Sequence, residues 1–400
     1  MNSPLIHIAG RMLRQTTPRL LWKFAWNFGW KGMRAVRSFR RRAKRGRILP
    51  AFLFLSVTNR CNLRCQGCWV RPTEPPEDMS PDGLNGILAQ WKEQGAHFFG
   101  LLGGEPLMHA GLMDVLAQHP DCYFLVFTNG TVLDDRVARV MRRLGNVSPL
   151  VSIEGRESVS EERRGGQDVY ARALAGLEHC RRNRLIFGVA TSVCRSNIDE
   201  LATEAFVREC ADRGAMYLWY HIYRPVGPDP NPELSLSADQ IRDLRRFLVD
   251  VRATARLMVV DAYWDHKGKA LCPAAVGISH HISPQGYLEP CPPIQVAVER
   301  FREGKRLEKL FTDSRFLSRF REAASAATQG CVLLERPDLV LDIKREFKAA
   351  DSSGRGTVED ELGRMAKRPS HSMEGREIPE TSAFYRLAKK NWFFGFGGYG

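Results

Sequence analysis

Residues 52–68 read Phe52-Leu-Phe-Leu-Ser-Val-Thr-Asn-Arg-Cys61-Asn-Leu-Arg-Cys65-Gln-Gly-Cys68, and Trp69 follows. The first six residues are a short apolar run of the kind buried strands show. The run then gives way to a polar loop with three cysteines in eight residues. A loop that follows a strand in a β–α repeat lies at the strand's carboxyl end, where such folds carry their chemistry. Three thiolates on one loop can converge on one metal centre. Thiolates are soft donors that suit iron–sulfur clusters, which normally take four of them. With three local ligands, one iron is left for a small-molecule chelate. A structural zinc site uses the same donor type, and it needs a fourth ligand. The nearest downstream histidine is His97.

The pattern continues outward. Five more apolar runs follow at 97–102, 123–127, 150–153, 187–193 and 217–222. Between them lie stretches of helical period at 80–94, 110–118, 134–144, 168–183 and 197–213, with another at 237–253. Regular alternation of this kind predicts a parallel sheet with helical crossovers. Polar motifs sit at the expected carboxyl ends of the next strands. They are Gly103-Gly104-Glu105-Pro106, Thr128-Asn129-Gly130 and Ser152-Ile153-Glu154-Gly155. Two glycines let a ligand approach the backbone closely, and a glutamate can accept bonds from an ammonium group.

Composition bounds the rest. The chain has 400 residues, 44% hydrophobic and 26% charged, which excludes disordered, collagenous and small disulfide-stapled classes. The net charge of +14 is uneven. Residues 1–50 hold thirteen Lys and Arg and no Asp or Glu, and the other 350 residues carry 46 basic against 45 acidic. No run is long and apolar enough to span a bilayer, and no export signal is evident, so an intracellular, cytoplasmic chain is expected. Clustered cysteines in that setting argue for metal or catalysis rather than disulfides.

The Cys-x3-Cys-x2-Cys of Cys61, Cys65 and Cys68, with Gly-Gly-Glu-Pro at 103–106, resembles the radical S-adenosylmethionine (radical SAM) superfamily over about residues 50–340. The resemblance implies a partial (β/α)6 barrel with a small α+β iron–sulfur extension. It implies a [4Fe–4S] cluster on the three cysteines, with S-adenosylmethionine on the open iron. Reductive cleavage then gives a 5′-deoxyadenosyl radical that takes hydrogen from a substrate. By the same resemblance Gly103, Gly104, Glu105 and Pro106 hold the methionine amino group. Ser152 and Glu154 face the cofactor, Ser192 meets the ribose, and Arg164 pairs with the methionine carboxylate, with Arg163 beside it. The family often has an aromatic residue before the third cysteine, whereas this chain has Gly67 there and Trp69 after it.

Cys272, Gly286 and Cys291 with Gly330-Cys331 resemble the SPASM or twitch extension, without its middle cysteine run. That implies at most one auxiliary iron–sulfur cluster, on Cys272, Cys291 and Cys331. Three inert buried cysteines are the alternative. His280-His281 could supply a fourth ligand or be hydrogen-bonded. Cys122, Cys180, Cys194 and Cys210 read as ordinary core or surface residues.

The expected organisation is an amphipathic basic arm (1–50), the core (51–253), the extension (254–348), a flexible linker (349–382) and an aromatic, glycine-rich tail (383–400). In the arm, Trp22, Trp26 and Trp30 recur every four residues, on one helix face. With the run 40–47 they suit an anionic membrane surface, peripheral on its inner side. Packing on the barrel is the alternative, and nucleic-acid phosphate the less favoured one. The expected substrate is a peptide or protein, or else a lipid or isoprenoid. The expected reductant is a flavodoxin or ferredoxin. A non-catalytic zinc or iron–sulfur scaffold is the reading of another class.

Overall fold

The computed structural model describes residues 4–392. Its centre is six parallel strands in consecutive order: β1 (Phe52–Ser56), β2 (Phe98–Leu102), β3 (Tyr123–Thr128), β4 (Val147–Ser152), β5 (Gly188–Val193) and β6 (Tyr217–Ile222). Five of them start within one residue of the expected runs. β4 starts three residues earlier because Pro149, which lacks a ladder N–H, lies inside it and masks its beginning. The sheet curls. Phe127 of β3 and Trp219 of β6 have ring centroids 5.7 Å apart. In a flat sheet, strands three places apart would be separated by about 14 Å. The inner face is one apolar cluster drawn from every strand, including Phe52, Phe98, Leu125, Leu150, Ala190 and Trp219. The helix Pro81–Glu93 covers the outer face with buried Leu84, Ile87, Leu88 and Trp91. This is the partial barrel that the resemblance implies.

The expected boundary at residue 254 does not end the sheet. β7 (Met258–Asp261) pairs in parallel with β6, and β8 (Ser279–Ile282) pairs in parallel with β1 at the opposite edge. Antiparallel β9 (Leu288–Glu289) follows β8. An uncovered edge strand leaves a row of N–H and C=O groups without partners, and the extension supplies them at both edges.

The expected flexible linker at 349–382 is also corrected. It holds a short strand, Ala350–Asp351, and a helix, Val358–Arg364. Five of its polar residues, Ser352, Ser353, Ser370, His371 and Glu380, are buried rather than solvated. The Ser352 hydroxyl donates to Glu289 at 2.5 Å, the Arg355 guanidinium to the Trp69 carbonyl at 2.9 Å, and the Trp264 indole to the His371 carbonyl at 2.8 Å. Glu380 sits in a fully buried cluster with Arg245, Arg252, Asp261 and Lys389. A composition poor in aliphatics signals solvent only when its polar groups lack such partners.

The arm folds onto the amino-terminal ends of the strands, opposite the cysteine loop. It comprises α1 (Pro4–Gln15), α2 (Pro18–Lys23), a π-helical stretch Phe24–Trp30 and α3 (Lys31–Ala43). Its inward side chains cap loop carbonyls that precede the strands. Arg11 donates to Ala211 and Ala215, Asn27 to Pro120 and Cys122, Lys31 to Asp121, and Lys23 to Leu144. Phe28 packs edge-on to Phe98, with centroids 5.1 Å apart. No described helix is long and apolar enough to cross a membrane. The tail beyond Trp392 lies outside the described residues.

Glu380→Ala should therefore destabilise the protein by about 3–5 kcal/mol, as removal of one partner from a buried ion pair does. Denaturant unfolding checks this, and a loss below about 1 kcal/mol, as for exposed pairs, would return residue 380 to a linker. Burial alone would raise the Asp261 and Glu380 carboxyls, but Lys389, Arg252 and Arg245 hold both below their ordinary range. Their contribution is present above the unfolded carboxyl pKa of about 4 and is lost as pH falls below it.

Candidate active site

The cysteine loop is fixed by backbone contacts with the end of β2. The Gly104 N–H donates to the Thr58 carbonyl at 2.8 Å, and the Glu105 N–H to the Arg60 carbonyl at 2.7 Å. A Cβ at Gly104 would lie 2.1 Å from the Arg60 oxygen. Gly103, with φ of 153°, would bring one within 2.4 Å of the Thr58 oxygen. These glycines therefore admit the loop's own backbone, and both also line the cavity above the sheet.

Glu105 departs from expectation. It is fully buried, and its carboxylate accepts from Thr128 Oγ1 at 2.7 Å, the Asn129 N–H at 2.7 Å and the Leu107 N–H at 3.1 Å. It ties the ends of β2 and β3 together and is not among the residues that line the cavity. Burial pushes it up to about 7 against those three bonds. Pro106 is likewise buried, opening the 3-10 turn Pro106–Met108.

Cys61, Cys65 and Cys68 all face one cavity of about 390 Å³. Burial, then the neighbouring Cys65 thiol, pushes Cys68 up to about 12, and burial also raises Cys61. Such a set of thiols ionises together only with positive charge beside it, which a thiolate-bound metal cluster supplies. The donor set and the space thus fit an iron–sulfur cluster. Arg164 lies alongside, its Nη1 3.7 Å from Cys65 Sγ and its Nη2 2.6 Å from Glu154 Oε1. Burial alone would lower this guanidinium's pKa, but Glu154 and the thiols raise it above its ordinary value. The other Glu154 oxygen accepts the Ser192 N–H at 2.9 Å. Ser152, Glu154, Arg164 and Ser192 all line the cavity. Arg163 is 4% exposed and lies over the Tyr223 ring, so neither arginine is a solvated surface charge.

Gly67 explains the missing aromatic before Cys68. A Cβ there would lie 2.1 Å from the Tyr223 hydroxyl. Tyr223 reaches in from the end of β6 and occupies that space. Tyr223, Arg224 and the nearby His221 line the cavity and were not read from the sequence. Their signal was a polar run at the end of the sixth strand, like those at the second, third and fourth.

Cys272, Cys291 and Cys331 open into the same cavity. Burial, then Cys331, pushes Cys272 up to about 11, while burial and both neighbours raise Cys291. The Arg224 Nε donates to Cys331 Sγ at 3.3 Å, and its guanidinium lies 5.5 Å from the Tyr263 ring centroid. The Ser370 hydroxyl accepts the Cys331 N–H at 2.9 Å, so the 349–382 stretch supports this triad. His281 is not a ligand candidate, because Glu289 and Ser56 hold its two ring nitrogens at 2.5 and 2.8 Å. His280 meets the Pro290 carbonyl at 3.0 Å and lines the cavity. Cys122, Cys180, Cys194 and Cys210 are buried away from both triads.

Residues 55–203 match the family model of the Radical SAM superfamily. The sporulation killing factor maturation protein SkfB of Bacillus subtilis (strain 168) is 26% identical over 319 residues, covering 75% of this chain and 74% of that protein. An Fe-coproporphyrin III synthase of Methanosarcina barkeri is 25% identical over 228 residues, covering 52% of this chain and 55% of its own length. Among solved structures, Streptococcus suis SuiB bound to S-adenosylmethionine superposes with a TM-score of 0.59 at 16% identity, over 72% of both chains.

Gly104→Ala should force the cysteine loop off β2. The reconstituted variant is expected to lose the iron and sulfide of the Cys61–Cys65–Cys68 site while retaining those of the second triad. Iron and sulfide analysis checks this, and unchanged content would show that the backbone approach is not needed.

Proposed function

We propose that this radical SAM enzyme abstracts hydrogen from a peptide or protein, with a [4Fe–4S] cluster on Cys61, Cys65 and Cys68 and one auxiliary iron–sulfur cluster on Cys272, Cys291 and Cys331. The observation that carries the reading is the opening of both triads into one cavity. A radical SAM domain uses a [4Fe–4S] cluster and S-adenosylmethionine. When bound, these supply one-electron reductive cleavage of the sulfonium, which starts hydrogen-atom abstraction.

The chain's own groups bind, orient and shield. The backbone at Gly103 and Gly104 and the side chains of Ser152, Glu154, Arg164 and Ser192 form the wall for S-adenosylmethionine. The Arg164 guanidinium suits its carboxylate, because Glu154 fixes the charge and the direction of the fork. Apolar Phe54, Phe127 and Trp219 wall off the barrel interior, which limits water where a reactive intermediate would form. Arg224 would stand beside the auxiliary site as a fixed positive charge.

A peptide or protein substrate is supported by the similarity to SkfB, a maturation protein, because that similarity runs well beyond residues 55–203. The lipid or isoprenoid reading drew on the arm, which lies at the far end of the barrel from the cavity. A zinc or iron–sulfur scaffold would have no use for the wall built around Arg164 and Glu154. An external one-electron donor of the flavodoxin or ferredoxin kind would supply the reductant.

Cys65→Ala should abolish 5′-deoxyadenosine formation in the reduced, anaerobically reconstituted protein and keep the iron of the second triad. Full cleavage in that variant, or zinc without sulfide in the wild type, would overturn the assignment. With wild type, soluble peptides of the host should raise 5′-deoxyadenosine yield and its lipid extract should not. The reverse result would make a lipid the substrate.

A further inference from the structure

Among the described residues, nothing covers the arm's outer face. Of the eight large hydrophobic residues exposed in the described chain, five are in the arm: Ile6, Leu13, Trp22, Trp26 and Trp30. That concentration is not the scatter of single apolar residues that ordinary surfaces show. The three tryptophans are 65%, 43% and 43% exposed and stack in a ladder, with centroids 5.6 and 6.4 Å apart. At spacings of three and four residues, exposed Arg34, Arg37 and Arg41 follow along α3. The C-terminal helix Ala383–Asn391 joins this region. The Lys390 carbonyl accepts from Arg40 at 2.7 Å, and the Trp392 indole donates to the Gly29 carbonyl at 3.0 Å. That helix adds exposed Leu387 and Lys390. Two segments that the catalytic reading leaves without a role therefore meet in one place.

Aromatic side chains beside clustered arginines, with no acidic residue in the first fifty, narrow the occupant. A second copy would bring like charges face to face. A nucleic-acid base slotted between two rings needs about 7 Å, twice the contact distance, and the ladder leaves less. A bilayer interface takes both features at once. Tryptophan rings sit at headgroup level, and guanidinium groups meet anionic phosphates.

We propose that the arm's outer face docks on an anionic lipid bilayer surface, with the tryptophan ladder in the interface and Arg34, Arg37 and Arg41 on the headgroups. The inner face of the arm is bound to the amino-terminal ends of the strands, so the cavity opens on the side away from the bilayer. The membrane is then an anchor, and substrate enters from the aqueous side.

Vesicle co-sedimentation of the full chain at physiological ionic strength tests this. Vesicles of phosphatidylcholine and phosphatidylserine should bind the protein, and phosphatidylcholine alone should bind it far less. Arg34→Gln, Arg37→Gln and Arg41→Gln together should weaken partition about a hundredfold. Trp22→Ser, Trp26→Ser and Trp30→Ser together should also release the protein. Both sets should keep wild-type 5′-deoxyadenosine yield, which shows that the variants fold. No binding to anionic vesicles overturns the proposal, as does equal binding of wild type and variants. A tryptophan-dependent dimer, or retention by an acidic protein or nucleic acid in place of vesicles, overturns it too.

Discussion

Two backbone hydrogen bonds, Gly104 to Thr58 and Glu105 to Arg60, hold an otherwise irregular loop against the sheet. Residues 57–80 contain no helix or named strand, yet they carry three thiols that must point to one place. Such a loop gains rigidity only by close contact with elements that are already rigid. Each contact here requires a glycine. Gly165, at the end of the helix Glu157–Arg164, lies where a Cβ would be 2.4 Å from the Arg64 oxygen. Gly227, in the proline-rich turn after β6, would bring one within 2.4 Å of the Cys68 oxygen. The loop is thus gripped from the ends of β2, β4 and β6. Arg164 is delivered beside Cys65 by the same glycine-ended helix that grips the loop.

The two thiol triads are built on one electrostatic plan. Each has three buried or half-buried thiols and one half-buried arginine within reach of a sulfur, Arg164 at Cys65 and Arg224 at Cys331. Each guanidinium is oriented by a second group, the Glu154 carboxylate in one case and the Tyr263 ring in the other. The partners differ in charge, and that difference has consequences. Glu154 neutralises Arg164, so the first site gains a directed donor with little net charge. Tyr263 leaves the charge of Arg224 intact, so the second site sits beside an uncompensated cation in a low dielectric. His221 feels it too. Burial first, and Arg224 second, push that imidazole down to about 3, so it stays neutral on the cavity wall.

The sequence was most legible where local pattern and chemistry coincide. Apolar runs located the strands, and polar motifs at their ends located most of the cavity wall. It was least legible where a residue's role depends on a distant partner. Glu105 has the type expected of a ligand contact, but it is fully buried and both its oxygens already accept bonds from Thr128 and Asn129. The stretch 349–382 has a solvent-like composition, yet Ser352, His371 and Glu380 are buried because Glu289, Trp264 and Arg245 receive them. In the arm, period four put the tryptophans on one face, but period alone does not say which face turns inward. Phe24, Asn27 and Phe28 decide that, since they match an apolar ring and open carbonyls at the barrel's base. That the sheet runs on past the boundary expected at 254 was hidden for a related reason. A strand that completes another unit's edge looks the same in sequence as one that begins its own.

Completion of both edges also fixes where chemistry can happen. Because β8 is hydrogen-bonded to β1 and β7 to β6, the extension is clamped across the mouth of the barrel and not hung from one side. Cys272 and Cys291 flank β8 and β9, so two of the three thiols of the second triad are tied to the β1 ladder. The third, Cys331, caps the helix Val332–Glu335 off the sheet. Trp219, His221, Tyr223 and Arg224, four residues of the wall of the cavity that both triads share, come from one strand and its exit. That part of the wall hangs on β6. Its end is pinned by the Tyr223 N–H to the Val193 carbonyl at 2.9 Å and by the Tyr263 hydroxyl, which accepts the Ile222 N–H at 2.9 Å. Among the described residues the arm meets the opposite end of the strands, so the surface it presents lies away from the cavity wall.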